Sequence, residues 1–261
     1  MAECIKVFDQ LGDEVLVPHS PKTIVSLVPS QTELLFDLGL SDMIAGVTKF
    51  CVHPADARSK VIVGGTKKFN FERIHKISPD LVIGNKEENY REGIEELRKH
   101  YPVWMSDINT LKEALQMISQ LGVIMQREEQ TSDLIHRIKN RFSSLPAIHG
   151  KRGKALYFIW KKPYMVAAGN TFIHEMLDYA GFENVAAHLN RYPELTVDQI
   201  RALRPDHLLL SSEPYPFRTE HIHEFKDLFP ETRVHIVDGE FFSWYGSRLL
   251  LAGDYFEKLT L

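Results

Sequence analysis

The sequence contains only two cysteines, Cys4 and Cys51, among 261 residues. Two isolated cysteines form neither a disulfide framework nor a cysteine-based metal cluster. No run of apolar residues approaches the roughly 18–20 that a membrane-spanning helix requires. The first fifteen residues also lack the apolar core of a secretory signal. We therefore expect a chain that does not span a membrane, and either a signal has been removed or the chain stays inside the cell.

An excess of positive charge is also absent, because the formal net charge is −4. Proteins that bind nucleic acids through the phosphate backbone need a basic surface, so we expect no nucleic-acid partner. The remaining composition, with 44% hydrophobic and 25% charged residues, is ordinary for a globular protein. Its length permits two lobes that each bury a core of their own.

Catalytic motifs are missing as well. The sequence contains no G-x-S-x-G elbow, no G-x-x-x-x-G-K-[ST] loop, no H-E-x-x-H and no C-x-x-C. The histidines are scattered, and His221 and His223 with Glu220 and Glu224 fit a solvated helix face better than a metal site. We expect no catalytic residue and no protein-held metal. An enzyme that uses a cleft between two lobes remains the least favoured alternative.

The segment Arg127–Leu145 is the element around which the chain is organised. Its apolar or small positions recur at steps of three and four, which predicts one buried helical stripe: Thr131, Leu134, Ile135, Ile138, Phe142 and Leu145. Acidic residues open the segment and Pro146 closes it. A helix of this length extends about 30 Å. It predicts an N-terminal lobe at 1–126, a connecting helix at 127–146 and a C-terminal lobe at 147–261.

An internal repeat supports the two lobes. The stretches 71–84, FERIHKISPDLVIG, and 197–210, VDQIRALRPDHLLL, superpose at an offset of 126 (200 − 74 = 126). Each copy reads as a short amphipathic helix, a Pro-Asp turn and an apolar strand. Short apolar strands and amphipathic helices alternate elsewhere in both halves, which predicts an α/β fold with parallel-rich, helix-covered sheets.

Ligands of open parallel sheets bind beyond the carboxyl ends of the strands. Aromatic and cationic residues follow the predicted strands, a combination that suits a large flat ligand with acidic groups. The alternative is that these aromatics only close the ends of the sheets. The candidate ligand-binding residues are Ser30, Gln31, Lys49, Phe50, His53, Thr66, Lys67, Asn85 and Lys86 in the first half, and Trp160, Lys162, Tyr164, Asn170, Tyr215, Phe242, Trp244, Tyr245 and Arg248 in the second.

The segments SLVPSQTELLFDLGL, NFERIHKISPDLVIGN, RPDHLLLSSEPYPF and DGEFFSWYGSRLL, together with the central helix, resemble a known family. This family consists of substrate-binding proteins that serve ABC importers. The resemblance is to its members with a rigid helical backbone, which bind cobalamin, ferric siderophores or haem. The resemblance covers roughly residues 5–258. It implies two Rossmann-like lobes joined by one long central α-helix, with a metal chelate held between them and no covalent cofactor. Family members mostly act as monomers.

The resemblance also implies a partner. One exposed acid on each lobe pairs with arginines on the membrane subunits of the importer, and the matching positions are Glu72 and Glu213. Family members work in the periplasm or at the cell surface. Cobalamin or another corrinoid is the first expectation for the ligand, with a ferric siderophore or haem next. A bare divalent metal is the alternative, and it would need histidines and carboxylates from both lobes.

Overall fold

A computed structural model describes residues 4–145 and 151–259. The predicted end of the connecting helix at Pro146 and the predicted start of the C-terminal lobe at residue 147 lie outside the described residues. Of the helices in the described segments, none has the length and hydropathy needed to cross a bilayer.

Helices and strands alternate along the chain, as the sequence predicts. The strands are β1 (Cys4–Phe8), β2 (Glu14–Pro18), β3 (Ile24–Ser26), β4 (Ile44–Val47), β5 (Val61–Ile62), β6 (Gly64–Gly65), β7 (Lys68–Phe69), β8 (Leu81–Asn85), β9 (Val103–Ser106), β10 (Lys154–Lys161), β11 (Tyr164–Ala167), β12 (Glu183–Asn184), β13 (His207–Ser211) and β14 (Arg233–Val237). The helices are α1 (Pro29–Asp37), α2 (Phe71–Ile77), α3 (Arg91–Arg98), α4 (Leu111–Met125), α5 (Glu128–Ser143), α6 (Phe172–Tyr179), α7 (Val197–Leu203), α8 (Thr219–Leu228), α9 (Glu240–Ser243) and α10 (Leu249–Lys258).

The chain forms two compact units. Unit 1 consists of Met1–Ile108, Lys112–Arg137 and Tyr245–Arg248, and unit 2 consists of Asn109–Leu111, Ile138–Trp244 and Leu249–Leu261. Helix α5 contributes residues to both units. Its buried positions belong to the predicted stripe: Thr131, Leu134, Ile138 and Phe142. The limits predicted for the lobes at residues 126 and 147 remain predictions.

Helix α5 is shorter than the sequence predicts. It starts at Glu128 and ends at Ser143, so its sixteen residues extend about 24 Å. Gln126 has a left-handed φ of 53° and separates α5 from α4. The two helices come very close, because a Cβ placed on Gly122 would lie 2.1 Å from Thr131 Oγ1. Only glycine fits at that position of α4.

The sheet of unit 1 has the strand order β5-β4-β3-β8-β9, and all four pairings are parallel. Its central strands are apolar and buried on both faces, as in Leu81–Asn85. Residues such as Val25 and Val82 pack beneath the helices with Ile74 and Leu97. Because the strands run in one direction, the loops that follow them meet at a single edge. This arrangement confirms the predicted parallel sheet.

The repeat is visible in the backbone of each unit. Asn70 and Thr196 are the N-caps of α2 and α7, and each accepts a hydrogen bond from the third residue of its helix. Both helices end at a left-handed residue, Ser78 with φ 51° and Arg204 with φ 49°. Equivalent sequence positions therefore begin and end equivalent helices.

The Pro-Asp turns of the repeat perform the same role in both units. Asp80 Oδ2 accepts hydrogen bonds from the backbone N–H groups of Lys22 and Thr23 at 2.7 and 3.0 Å. Asp206 Oδ2 accepts one from Lys154 N at 2.8 Å. Each aspartate therefore ties the strand that follows the repeat helix to the first strand of its sheet.

The sheet of unit 2 has the order β11-β10-β13-β14, with β12 paired to the start of β10. Strands β10, β13 and β14 are parallel, but β11 is antiparallel to β10. Tyr164 pairs with Lys161 at the start of β11, and Ala167 pairs with Tyr157 at its end. The residues that follow β11 therefore lie at the amino edge of the sheet, opposite the ends of the other strands.

Candidate ligand-binding edges

The carboxyl ends of the unit 1 strands carry an exposed aromatic and cationic surface, which we call the unit 1 edge. Phe50 is 49% exposed, and Lys49 Nζ lies 4.9 Å from the centroid of its ring. The β6–β7 hairpin packs beside them, since a Cβ on Gly65 would lie 3.3 Å from Phe50 Cε2. Gly64 has φ 117°, and a Cβ there would meet Lys68 O at 2.4 Å. The turn that supports Phe50 thus requires glycine.

Two further lysines lie at the unit 1 edge, in different electrostatic settings. Lys86 pairs with Asp107 at 2.5 Å, which offsets its charge locally. Lys67 is exposed, and its ammonium donates a hydrogen bond to the backbone carbonyl of Glu87. His53 is half-buried in the loop between β4 and β5. Within the described segments, no group of three or more His, Cys, Asp or Glu side chains is arranged to hold a metal ion.

Several predicted ligand residues lie beneath the unit 1 edge rather than on it. Gln31 and Asn85 are buried, and both donate side-chain hydrogen bonds to Ser106 Oγ, at 2.6 and 2.9 Å. Ser30 and Thr66 are also buried. These four residues support the loops, and the structure does not present their side chains to solvent.

Asn85 organises the loop in which Glu88 lies. Asn85 Oδ1 accepts hydrogen bonds from the backbone N–H groups of Glu87 and Glu88, at 2.8 and 3.1 Å. Burial raises the pKa of the Glu88 carboxyl, the Glu87 carboxylate raises it further, and the ammonium of Lys67 opposes both effects. A perturbed carboxyl at a strand end makes Glu88 a further candidate for the unit 1 edge. It is not among the residues predicted from the sequence, although Glu87 and Glu88 follow the apolar strand β8 with only Lys86 between.

The ends of β10 and β13 carry the corresponding surface in unit 2, which we call the unit 2 edge. Trp160 is 39% exposed, and its ring centroid lies 5.4 Å from that of Tyr215 in an edge-to-face arrangement. Tyr215 is held by its N–H, which donates to Ile159 O at 3.3 Å. Tyr164 is half-buried, pairs with Lys161 across the hairpin and packs on Phe158 and Phe225. Of the predicted residues, Trp160 and Tyr215 therefore come together.

The two lysines of the unit 2 edge differ in whether their ammonium groups are exposed to a ligand. Lys161 pairs with Glu224 at 2.5 Å, and this hydrogen bond raises the pKa of the Lys161 ammonium. Lys162 is exposed at the tip of the β10–β11 hairpin, with a left-handed φ of 77°. Burial raises the pKa of the Tyr164 hydroxyl, so it stays protonated and keeps its donor hydrogen. This edge thus offers aromatic surface, hydroxyl groups and one exposed ammonium.

Three predicted residues of unit 2 do not lie on the unit 2 edge surface. Phe242 is fully buried and packs on Tyr157 and Phe256, with centroid separations of 5.1 and 5.0 Å. Trp244 is buried, and its Nε1 donates to Glu213 Oε1 at 2.8 Å. Asn170 follows the antiparallel strand β11 and therefore lies at the opposite edge of the sheet. The sequence predicts Asn170 at the carboxyl edge only if β11 runs parallel to its neighbours.

Tyr245 and Arg248 belong to unit 1, although they come late in the chain. Arg248 makes a two-point ion pair with Glu33 on α1, with Nε and Nη2 at 2.8 and 2.6 Å from the carboxylate oxygens. Both side chains are largely buried, with exposures of 9% and 13%. Tyr245 is buried as well. The guanidinium of Arg248 thus anchors its own segment to α1.

The two acids predicted to dock lie in different environments. Glu72 is exposed in the first turn of α2. Glu213 is half-buried, and its Oε1 accepts hydrogen bonds from Ser243 Oγ and Trp244 Nε1, both at 2.8 Å. The repeat pairs Glu72 with Asp198 (198 − 72 = 126), and the Asp198 side chain is 92% exposed, 3.3 Å from Arg201. The repeat therefore adds Asp198 to Glu213 as a candidate docking acid of unit 2.

Comparisons with known proteins identify relatives for most of the chain. A family model described as periplasmic binding protein matches residues 24–232. A vitamin B12-binding protein of Vibrio parahaemolyticus is 27% identical over 192 residues, which cover 72% of this chain and 70% of that protein. An uncharacterized ABC transporter substrate-binding lipoprotein of Bacillus subtilis is 24% identical over 258 residues, with coverages of 94% and 82%. The solved petrobactin-binding protein of Bacillus subtilis superposes with a TM-score of 0.83 at 18% identity and covers 98% of this chain and 100% of its own.

Substitutions at Phe242 and Trp160 test which of the two side chains belongs to the core and which to the surface. We expect Phe242→Ala to lower the free energy of unfolding by about 3–5 kcal/mol, because it leaves a cavity in the core of unit 2. Trp160→Ala should change it by less than about 1 kcal/mol, since that ring is partly solvated. Urea unfolding followed by circular dichroism measures both changes. Equal losses in the two variants would contradict the assignment of Trp160 to the surface.

Glu88 predicts a pH-dependent stability. Its folded-state pKa lies above the ordinary value of 4.5, so the folded state favours the protonated carboxyl. As pH rises from 4.5 through the raised pKa, the unfolded state ionises first and the protein loses stability. Glu88→Gln removes this loss, so we expect the variant to gain stability relative to wild type between pH 4 and pH 7. Urea unfolding across this range tests it, with exposed Glu95→Gln as the control. A difference between Glu88→Gln and wild type that does not change with pH would refute the prediction.

Proposed function

Because the chain belongs to the periplasmic binding protein family, we propose that it is the substrate-binding component of an ABC importer and that it carries a metal chelate. The family match confirms the resemblance recognised in the sequence. The relatives are binding proteins of transport systems and not enzymes. A relative that covers most of this chain is named as a substrate-binding lipoprotein of an ABC transporter.

The observation that carries the proposal is the presence of both exposed aromatics and exposed cations at the strand ends of each unit. Phe50 lies under Lys49 at the unit 1 edge, and Trp160 lies beside Tyr215 and the exposed Lys162 at the unit 2 edge. Aromatic faces bind flat apolar macrocycles, and ammonium groups bind their acidic substituents. Haem combines a flat ring with two carboxylates, cobalamin combines a corrin ring with amides and one phosphodiester, and a ferric siderophore presents an oxygen-rich chelate.

Cobalamin or another corrinoid is our first candidate for the cargo. The relative from Vibrio parahaemolyticus is named for vitamin B12 and covers 72% of this chain. A bare divalent metal is not favoured, since neither this relative nor the family match points to one. We place the protein outside the cytoplasmic membrane, in the periplasm or at the cell surface, because the family works there and one relative is a lipoprotein.

Calorimetric titration with cyanocobalamin, haemin and a ferric hydroxamate siderophore tests the proposed function. We expect micromolar or tighter binding of one of these probes. Trp160→Ala should weaken that binding at least tenfold, because a stacked aromatic ring contributes roughly 1–3 kcal/mol of contact. Leu251→Ala removes another exposed apolar side chain, 53% exposed on α10, and should leave binding unchanged. Wild-type protein that binds none of the probes would overturn the proposal.

Docking to the importer makes a second prediction. We propose that Glu72 and one acid of unit 2 pair with arginines of the membrane subunits. The resemblance indicates Glu213 for unit 2, whereas the repeat indicates Asp198. We expect Glu72→Ala to slow association with the importer at least tenfold, because exposed charge pairs mainly steer encounter. In unit 2, we expect the same effect from Glu213→Ala or from Asp198→Ala, whichever acid makes the pair.

Surface plasmon resonance with importer subunits in nanodiscs, at low and high salt, measures these association rates. Glu95→Ala on α3 is the matched control, because Glu95 is an exposed acid of the same unit as Glu72. Both unit 2 variants should retain cargo binding, which separates docking from misfolding. If the Glu72→Ala variant associates at the wild-type rate, the proposal that Glu72 docks to the importer is wrong.

A further inference from the structure

His221 is buried at the start of α8, so the sequence interpretation that placed it on a solvated helix face is wrong for this residue. The backbone N–H of Arg218 donates a hydrogen bond to His221 Nδ1 at 2.9 Å. A neutral imidazole has one nitrogen that accepts and one that donates. Since Nδ1 accepts from the backbone, the hydrogen of the ring is on Nε2.

The Nε2–H group of His221 faces a residue of the unit 2 edge. Nε2 lies 3.3 Å from the hydroxyl oxygen of Tyr215, and the two rings meet edge to face at 5.5 Å. With its hydrogen on Nε2, His221 donates and the Tyr215 oxygen accepts. The hydroxyl hydrogen of Tyr215 is then directed away from His221 and is available for another acceptor.

The residues around Tyr215 determine which acceptors its hydroxyl hydrogen can reach. Trp160 lies 5.4 Å away and is exposed, while Phe217 packs against Tyr215 at 4.7 Å. The ammonium of Lys161 interacts electrostatically with Tyr215, but it is paired with Glu224 at 2.5 Å. Tyr215 thus provides a polar hydrogen beside an aromatic face, and the exposed ammonium of the unit 2 edge is that of Lys162, at the tip of the hairpin.

We propose that His221 is a positioning residue that orients Tyr215 as a hydrogen-bond donor to an oxygen of the cargo. The acceptor is a carboxylate or amide carbonyl at the periphery of a chelate whose flat face lies on Trp160. The inference rests on the proposed function and deepens it. It assigns oxygen recognition at the unit 2 edge to a neutral hydroxyl, which bonds carboxylates and carbonyls alike.

A double-mutant cycle tests the inference. Tyr215→Phe removes the hydroxyl and keeps the ring, and we expect at least fivefold weaker binding of the probe that wild type binds, among cyanocobalamin, haemin and a ferric hydroxamate siderophore. His221→Asn places an amide oxygen where it can replace Nδ1 as the acceptor for Arg218 N–H. The shorter side chain does not reach Tyr215. We expect it to weaken binding about threefold, and the double variant to bind as Tyr215→Phe does.

The imidazole nitrogen shifts of wild-type protein provide a second readout that needs no variant and no cargo. They should show His221 protonated at Nε2 and unprotonated at Nδ1. Protonation at Nδ1, unchanged binding by Tyr215→Phe, or additive losses in the double variant would each overturn the inference. Absence of binding by wild type overturns the proposed function instead. The two failures are therefore distinguishable.

Discussion

The hydrogen bonds from the carboxylates of Asp80 and Asp206 to the backbone are the constraint on which both units depend. Each carboxylate ties the start of the strand that follows the repeat helix, β8 or β13, to the start of the first strand of its sheet, β3 or β10. Parallel strands have no hairpin to set their register, so these side-chain hydrogen bonds add to the register that the buried apolar faces specify. Phe50 lies in the loop after β4 of one sheet, and Trp160 lies at the end of β10 of the other, so both exposed rings are carried by sheets that contain such a bond.

Much of the fold could be predicted from the sequence, because the signals involved are local. Apolar runs and helical periodicity located the strands and helices to within a few residues, and the repeat predicted two units of related construction. The direction of β11 could not be read in this way. Tyr164–Ala167 is as apolar as a parallel strand, and only its pairing with β10 reveals that it runs the other way. Asn170 was misplaced for that reason.

The candidate site could be predicted only in part, for a similar reason. Position after a strand identifies the loops at the carboxyl edge of a sheet, but it does not say which side chains of a loop face solvent. Phe50 and Trp160 do, whereas Gln31 and Asn85 turn inward to Ser106. Arg248 pairs with Glu33, which lies 215 positions earlier in the chain, and neither local sequence predicts this pair. The tautomer of His221 likewise depends on a backbone N–H that the sequence does not reveal.

The return of Tyr245–Arg248 to unit 1 has a consequence for biosynthesis. Unit 1 contains α1, but the ion pair of Glu33 on α1 requires Arg248, which is synthesised 215 residues later. During translation, the sheet of unit 1 leaves the ribosome long before Arg248 exists, and Glu33 then has no guanidinium partner from that segment. Neither unit is a contiguous stretch of sequence, so cutting the chain between them separates residues that belong together. The nascent chain therefore completes unit 1 only after nearly all of unit 2 has been synthesised.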